Sequence, residues 1–169
     1  MVSAFDPAEL LRTLAECEVD FVLIGGLAAT LYGSPYVTTD ADIVPEKTPE
    51  NMERLSKSLR LLEAKIRTEG EPAGLPFDMS ATALENLEIL NLTTRFGNLD
   101  LTFMPSGTSG FPDLRRDAKD LTVHGVHVHV ASLADVIRSK EAANRDKDRL
   151  VLPTLRDLLR RLEDPDSRS

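Results

Sequence analysis

The chain has 169 residues and a net charge of -8, from 28 acidic and 20 basic side chains. This length suits one domain, and the acidic balance argues against broad, sequence-independent nucleic-acid binding, which needs Lys and Arg to neutralise phosphates. The one cysteine excludes an intramolecular disulfide and a cysteine-rich zinc site. Since we find no leader-like segment and no apolar stretch long enough to cross a bilayer, we expect a soluble, cytoplasmic protein with no membrane partner.

The hydrophobic spacing predicts alternating helices and strands along the chain. Helix starts are expected at Asp6 and Thr48, because each is an N-cap residue followed by proline at the first helical position. The first half should contain a helix from Asp6, a strand over 20–24, a helix to Tyr32, a strand over 40–45, a helix from Thr48 and an edge strand within 64–68. The second half should contain a short helix from Thr82, a hairpin over 89–103 that turns at Gly97-Asn98, a short helix within 112–119, a hairpin or a bulged strand within 121–130, a helix from Ser132 and a last helix through Leu162. We therefore expect a single α/β (α+β) domain over residues 1–163, with a mixed twisted sheet flanked by helices, and a disordered tail over 164–169.

Two features of the first half of the chain indicate chemistry. Gly25 and Gly26 follow a buried strand and open a helix, which exposes backbone N–H groups suited to phosphate. Asp40 and Asp42 lie two residues apart on the next strand, so their side chains share one face of the sheet. Like charges on one face repel each other, and a divalent cation that bridges both carboxylates would relieve this repulsion.

The glycine pair, thirteen intervening residues and Asp40-Ala41-Asp42 together resemble the signature of the nucleotidyltransferase superfamily, which has the polymerase-beta type of fold. The segment 33–45 is similar to stand-alone bacterial members, including the AbiEii-like toxin group. Members of that kind often carry an arginine where Tyr36 stands here. The resemblance implies transfer of a nucleoside monophosphate from an NTP to a hydroxyl, with pyrophosphate as the leaving group.

The resemblance also implies a set of site residues. A third acid on a later strand would complete the site, and Asp100, alone in the apolar strand 99–103, is the candidate. In such enzymes the third acid also helps to deprotonate the acceptor. Two Mg²⁺ ions about 3.5–4 Å apart would then be held by Asp40, Asp42 and Asp100. Gly25, Gly26 and Thr39 are candidates for nucleotide binding. The alternative is that the three acids cap loops or face solvent.

A second motif lies near the C-terminal end. The run from Ser132 to Lys140, followed by Arg145 to Asp148, is similar to a motif of the AbiEii-like group in which a lysine and a later Lys-Asp pair line the nucleotide cleft. By that analogy Lys140 and Lys147 would contact the triphosphate, and Asp148 would orient the lysine. The alternative is a solvated charged helix, which is what most charge runs form.

Three functions remain open at this point. The first is a toxin-like enzyme that modifies RNA, such as tRNA, or protein, with a cognate antitoxin or toxin as partner. The second is a small-molecule nucleotidyltransferase of the antibiotic-modifying kind. The third is a catalytically weak antitoxin-like or scaffold member, which the tyrosine at position 36 would suit. A basic cleft beside the acids would favour the first function, and a closed, apolar-walled pocket would favour the second. A large exposed apolar face with a poorly formed acid cluster would favour the third.

Overall fold

A computed structural model describes residues 4–164 and residue 166. Within these residues, the strands are β1 (Phe21–Ile24), β2 (Asp40–Pro45), β3 (Lys65–Ile66), β4 (Ile89–Thr94), β5 (Gly97–Thr102), β6 (Lys119–Val123) and β7 (Val126–Val130). The helices are α1 (Pro7–Glu16), α2 (Gly25–Leu31), α3 (Pro49–Leu61), α4 (Ala81–Glu85), α5 (Phe111–Arg116), α6 (Leu133–Ala143) and α7 (Asp146–Glu163). The predicted disordered tail falls mostly on residues 165 and 167–169, which lie outside the described part.

All seven strands of the described chain form one mixed sheet in the order β3-β4-β5-β2-β1-β7-β6. The β2–β5 and β1–β7 pairs are parallel, and the other pairs are antiparallel. The expected fold class, a mixed sheet flanked by helices, is therefore confirmed. The parallel β2–β5 pair matters most here, because it joins the strand of Asp40 and Asp42 to the strand of Asp100.

The helix starts follow from capping chemistry. The side chains of Asp6, Thr48 and Ser132 each accept a hydrogen bond from the backbone N–H three residues later, as N-cap side chains do. Proline at the first position stabilises α1 and α3. One start was predicted wrongly: Ser80, not Thr82, caps α4, because its hydroxyl accepts the N–H of Ala83.

The hairpin turn between β4 and β5 was also placed wrongly. Its two turn residues are Arg95 and Phe96, whereas Gly97 pairs with Thr94 inside the ladder. The Thr94 hydroxyl donates to the Gly97 carbonyl at 2.7 Å and accepts the Phe96 N–H at 3.0 Å, so it closes the turn two residues early. Gly97 is still required for its positive φ of 106°.

The core packs against one face of β2 and β5, the strands that carry the acids. Ala41 and Ile43 of β2 and Leu99 and Leu101 of β5 are fully buried. Their polar neighbours alternate to the opposite face, as the period of two in a strand requires. The predicted apolar stripe of α3 is fully buried as well (Met52, Leu55, Leu59 and Leu62). Among the described residues, no helix combines the length and the apolarity that crossing a bilayer requires.

Candidate active site

Three polar residues form a row across the sheet. In the β2–β5 pair, Asp42 lies opposite Asp100, and in the β4–β5 pair, Asp100 lies opposite Asn91. Residues directly opposite each other share a face of the sheet, so the two carboxylates point to the same side. Asp40 occupies the same face two residues before Asp42, opposite Asn98. The sheet register thus brings together the three acids that the sequence separates by up to sixty positions.

The acids strongly affect each other's protonation. Burial, followed by the charges of Asp100 and Asp40, raises the pKa of Asp42 to about 7. Burial also raises the pKa of Asp100, although the charge of Arg67 and its hydrogen bond oppose this effect. Burial and nearby negative charges both make the ionised form of a carboxylate unfavourable. The row is therefore electrostatically suited to a cationic ligand.

The glycine turn closes one end of this row. Gly25 is the first residue of α2 and has a φ of 73°, a conformation that side-chain-bearing residues rarely adopt. A Cβ atom on Gly25 would overlap the Asp42 carboxylate, with Asp42 Cγ only 2.9 Å away. Glycine is therefore needed at this position both for its backbone conformation and for the close approach to the acid.

Asp40 has neutral partners. Its Oδ1 accepts hydrogen bonds from Asn98 Nδ2 at 3.3 Å and from the hydroxyl of Thr39 at 3.2 Å. Thr39 itself is exposed, and its side chain contacts the acid. The hydroxyl of Thr38, one residue earlier, donates to the Asp40 carbonyl at 3.0 Å and so fixes the start of β2.

Arg67, which the sequence analysis did not identify as a site residue, contacts Asp100, the third acid of the site. Its Nη2 donates to Asp100 Oδ1 at 2.6 Å, and its Nη1 donates to the Leu92 carbonyl at 3.1 Å. Arg67 follows the two-residue edge strand β3, and its N–H donates to the Asn91 carbonyl at 2.9 Å. No local sequence signal points to this contact, because the arginine reaches the acid from two strands away.

The opposite wall comes from the junction of α6 and α7. Lys140 projects from α6, with its Nζ 3.6 Å from Asp148 Oδ1. Asp148 is fully buried and also accepts three hydrogen bonds from Arg145, through its backbone N, Nε and Nη2. Although burial alone would raise the pKa of Asp148, the hydrogen bonds and charges of Arg145 and Lys140 lower it. The charges of Lys140 and Lys147 oppose the rise in the pKa of Asp42 and so partly offset it.

These walls enclose a cavity of about 610 Å³. Most of the predicted site residues line it, namely Gly25, Gly26, Asp40, Asp42, Asp100, Lys140 and Lys147. Tyr36, at the position of the expected arginine, also lines the cavity, with its hydroxyl 3.5 Å from Thr154 Oγ1. Thr39 and Asp148 lie next to lining residues rather than in the wall itself.

The geometry of the site fits the predicted Mg²⁺ binding by Asp40, Asp42 and Asp100 only in part. The three acids share one face, and carboxylates are the right donors for Mg²⁺. In the part of the chain that the structure describes, however, no group of three His, Cys, Asp or Glu side chains is arranged so that it could hold a metal ion. The ion pair with Arg67 engages one oxygen of Asp100, which leaves Asp40 and Asp42 as the better-suited pair.

Comparison with known proteins shows where this architecture recurs. No protein-family model matches the chain. No curated protein matches it either. The solved structure of the lincosamide antibiotic adenylyltransferase LnuA, with lincomycin bound, superposes with a TM-score of 0.60 over 92% of this chain and 99% of that one, at 13% sequence identity. A Thermotoga maritima protein provisionally described as a nucleotidyltransferase matches more weakly, with a TM-score of 0.47, 20% identity and coverage of 94% and 96%. The chain therefore shares the fold of LnuA.

Proposed function

We propose that this chain is a magnesium-dependent nucleotidyltransferase, which transfers a nucleoside monophosphate from an NTP to a hydroxyl acceptor. The observation that carries the proposal is the pairing of Asp42 with Asp100 across β2 and β5, on the wall of a cavity that Lys140 and Lys147 also line. An acidic row facing a cationic wall suits a metal-bound triphosphate, because the acids attract the ion and the lysines attract the phosphates.

The reaction is a displacement at the α-phosphorus. The acceptor oxygen forms a bond to the α-phosphorus, the bond from the α-phosphorus to the bridging oxygen breaks, and pyrophosphate leaves with that oxygen. The hydroxyl proton passes to Asp100, which lies beside Asp42 in the row. Gly25 and Gly26 give the phosphates close access to the backbone, and Lys140 and Lys147 neutralise the leaving group.

Asp40 and Asp42 would hold the magnesium ion. Their fit rests on charge: burial and the charges of Asp100 and Asp40 raise the pKa of Asp42, and the donors to Asp40 Oδ1, from Asn98 and Thr39, are neutral. When bound, the ion supplies positive charge to the phosphate oxygens and to the departing pyrophosphate. Asp148 orients Lys140 from behind the wall through their ion pair.

A small-molecule acceptor is the first candidate class, because the cavity combines the acids with apolar and aromatic side chains such as Ile24, Tyr36 and Leu155. The structural likeness to LnuA, an enzyme that adenylylates a lincosamide antibiotic, supports this class. RNA, such as tRNA, or protein is the second class, as for a toxin-like enzyme of the AbiEii kind with a cognate partner. Lys140, Lys147 and Arg145 supply basic lining for it.

The test incubates the protein with each α-³²P-labelled NTP and Mg²⁺, in separate arms that contain lincomycin, cellular RNA or cellular protein. We expect label transfer in one arm, and we expect Asp42→Asn to lower it at least about a hundredfold. Asp157→Asn is the matched control, since Asp157 pairs with Arg161 on the surface of α7. No transfer in any arm, together with no NTP binding by calorimetry, would refute the enzyme and favour an antitoxin-like or scaffold role.

A further inference from the structure

Arg67 holds Asp100 from the edge of the sheet. The partner of Leu92 in the β3–β4 pair is Ile66, so Arg67 comes next along the row that contains Asn91, Asp100 and Asp42. Its side chain spans β4 on the acid face and is anchored on the way by the Leu92 carbonyl. The guanidinium is thus a fixed part of the row.

The contact leaves little room for a metal ion on that oxygen. The Nη2–Oδ1 distance is 2.6 Å, and the two side chains are only 32% and 16% exposed. A Mg²⁺ ion binds carboxylate oxygen at about 2.0–2.1 Å and demands near-octahedral geometry, so it cannot share this oxygen with the guanidinium. A second cation beside Arg67 would also be repelled by it across a poorly solvated gap.

The other two acids remain free of such a contact. The hydrogen bonds to Asp40 come from neutral groups. The charges of Asp100 and Asp40 act on Asp42 more strongly than those of Lys140 and Lys147 do. Among the described residues, no three acidic or imidazole side chains form a metal-holding group. The donor arrangement therefore suits one ion at Asp40 and Asp42 better than two ions shared by all three acids.

We infer that Arg67 serves as a built-in cation for Asp100, so that this chain uses one divalent ion, held by Asp40 and Asp42, instead of two. This inference rests on the proposed function, since it concerns the cations that surround the transferred phosphate. Arg67 is a positioning residue in this scheme: it neutralises and orients Asp100, and it acts on the reaction only through that carboxylate.

The experiment counts bound ions. Mn²⁺ is titrated into the protein and followed by electron paramagnetic resonance, first alone and then with the α,β-methylene analogue of each NTP. We expect one Mn²⁺ per chain in wild type, none in Asp42→Asn, and one in Asp100→Asn, because Asp100 is not a ligand. Arg67→Met removes the charge next to Asp100, so this variant should bind a second Mn²⁺ ion. Arg67→Lys keeps the positive charge, so this variant should still bind one Mn²⁺ ion per chain.

Arg54→Met is the matched control, because Arg54 lies outside the cavity lining and forms an ion pair with Asp20, with 3.7 Å between Nη1 and Oδ2. The Arg54→Met variant should bind as many ions as wild type. Two ions or none in wild type, loss of the ion in Asp100→Asn, or a count of one in a folded Arg67→Met would each overturn the inference. If Arg67→Met fails to fold, Arg67→Lys and Asp100→Asn still decide the matter. A wild-type chain that binds one Mn²⁺ but none of the four analogues would refute the proposed function and leave the single-ion assignment supported.

Discussion

Two aspartates in this protein are removed from water in opposite surroundings. Asp148, at the junction of α6 and α7, is fully buried, yet Arg145 and Lys140 surround it and lower its pKa. Asp42, on β2, is only partly buried, yet burial and the neighbouring acids raise its pKa to about 7. The difference teaches that the neighbours, and not the depth alone, decide whether a buried carboxylate stabilises the fold.

The same difference separates structure from function. A satisfied carboxylate such as Asp148 stabilises the fold and fixes the helix junction. A carboxylate that is held among other acids costs stability, and proteins commonly accept such a cost at sites that bind a ligand. The acid row is therefore the part of the molecule where a cation should increase stability, and the α6–α7 junction is the part where it should not.

The largest expected effect is the loss of Asp148. Asp148→Asn leaves the two cations without their buried counter-charge and should lower the free energy of unfolding by about 3 kcal/mol. Because the pKa of Asp148 is lowered in the folded protein, its contribution is present above the unfolded value and is lost only as the pH falls through the folded value. Urea unfolding at pH 5 and pH 8 should therefore show the same loss. A loss as small as that of the surface control Asp157→Asn would contradict the contrast between the two aspartates.

A smaller loss is expected at the glycine turn beside Asp42. Gly25→Ala forces a side-chain-bearing residue into a positive φ and pushes a methyl group against the carboxylate, which should cost about 2 kcal/mol. Gly26→Ala is the matched control. The φ of Gly26 lies outside the left-handed region, and its added Cβ would meet the Thr38 side chain, with Oγ1 at 3.2 Å and Cβ at 3.3 Å. Thermal unfolding of both variants measures the difference, and equal losses would show that the close approach of Gly25 to Asp42 is unimportant.

The remaining effect has the opposite sign, and the pKa shift of Asp42 bounds its size. Asp42→Asn should stabilise the metal-free protein at pH 8 by at least about 1 and at most about 4 kcal/mol, because it removes a charge that the acid row disfavours. A raised folded pKa gives stability that is fully present below the unfolded value near 3.8 and is lost as the pH rises through about 7. The gain should therefore vanish at pH 4.

Unfolding with EDTA at pH 4 and pH 8 tests this prediction. Added Mg²⁺ should reverse the order, since the ion stabilises wild type and has lost a ligand in the variant. Destabilisation by Asp42→Asn at pH 8 in EDTA would mean that the ionised carboxylate is satisfied in the metal-free fold, and the contrast with Asp148 would then be wrong.

Much of the fold could be predicted from local signals. The caps at Asp6, Thr48 and Ser132 act within one helical turn, and the alternation along β2 and β5 correctly separates the buried residues from the acids. The turn between β4 and β5 was misplaced because the Thr94 hydroxyl closes it, a competition that the glycine-asparagine pattern does not reveal. The roles assigned to the site residues stay predictions.

The sequence by itself determined which residues are polar on an otherwise apolar strand, because that information lies in a repeat of two residues. Only the tertiary structure decided that Asp42 meets Asp100 in register, and that an arginine from the sheet edge reaches the same carboxylate. The reason is physical: strand register and long side-chain reach depend on how distant segments pack together, and no short window of sequence contains both partners.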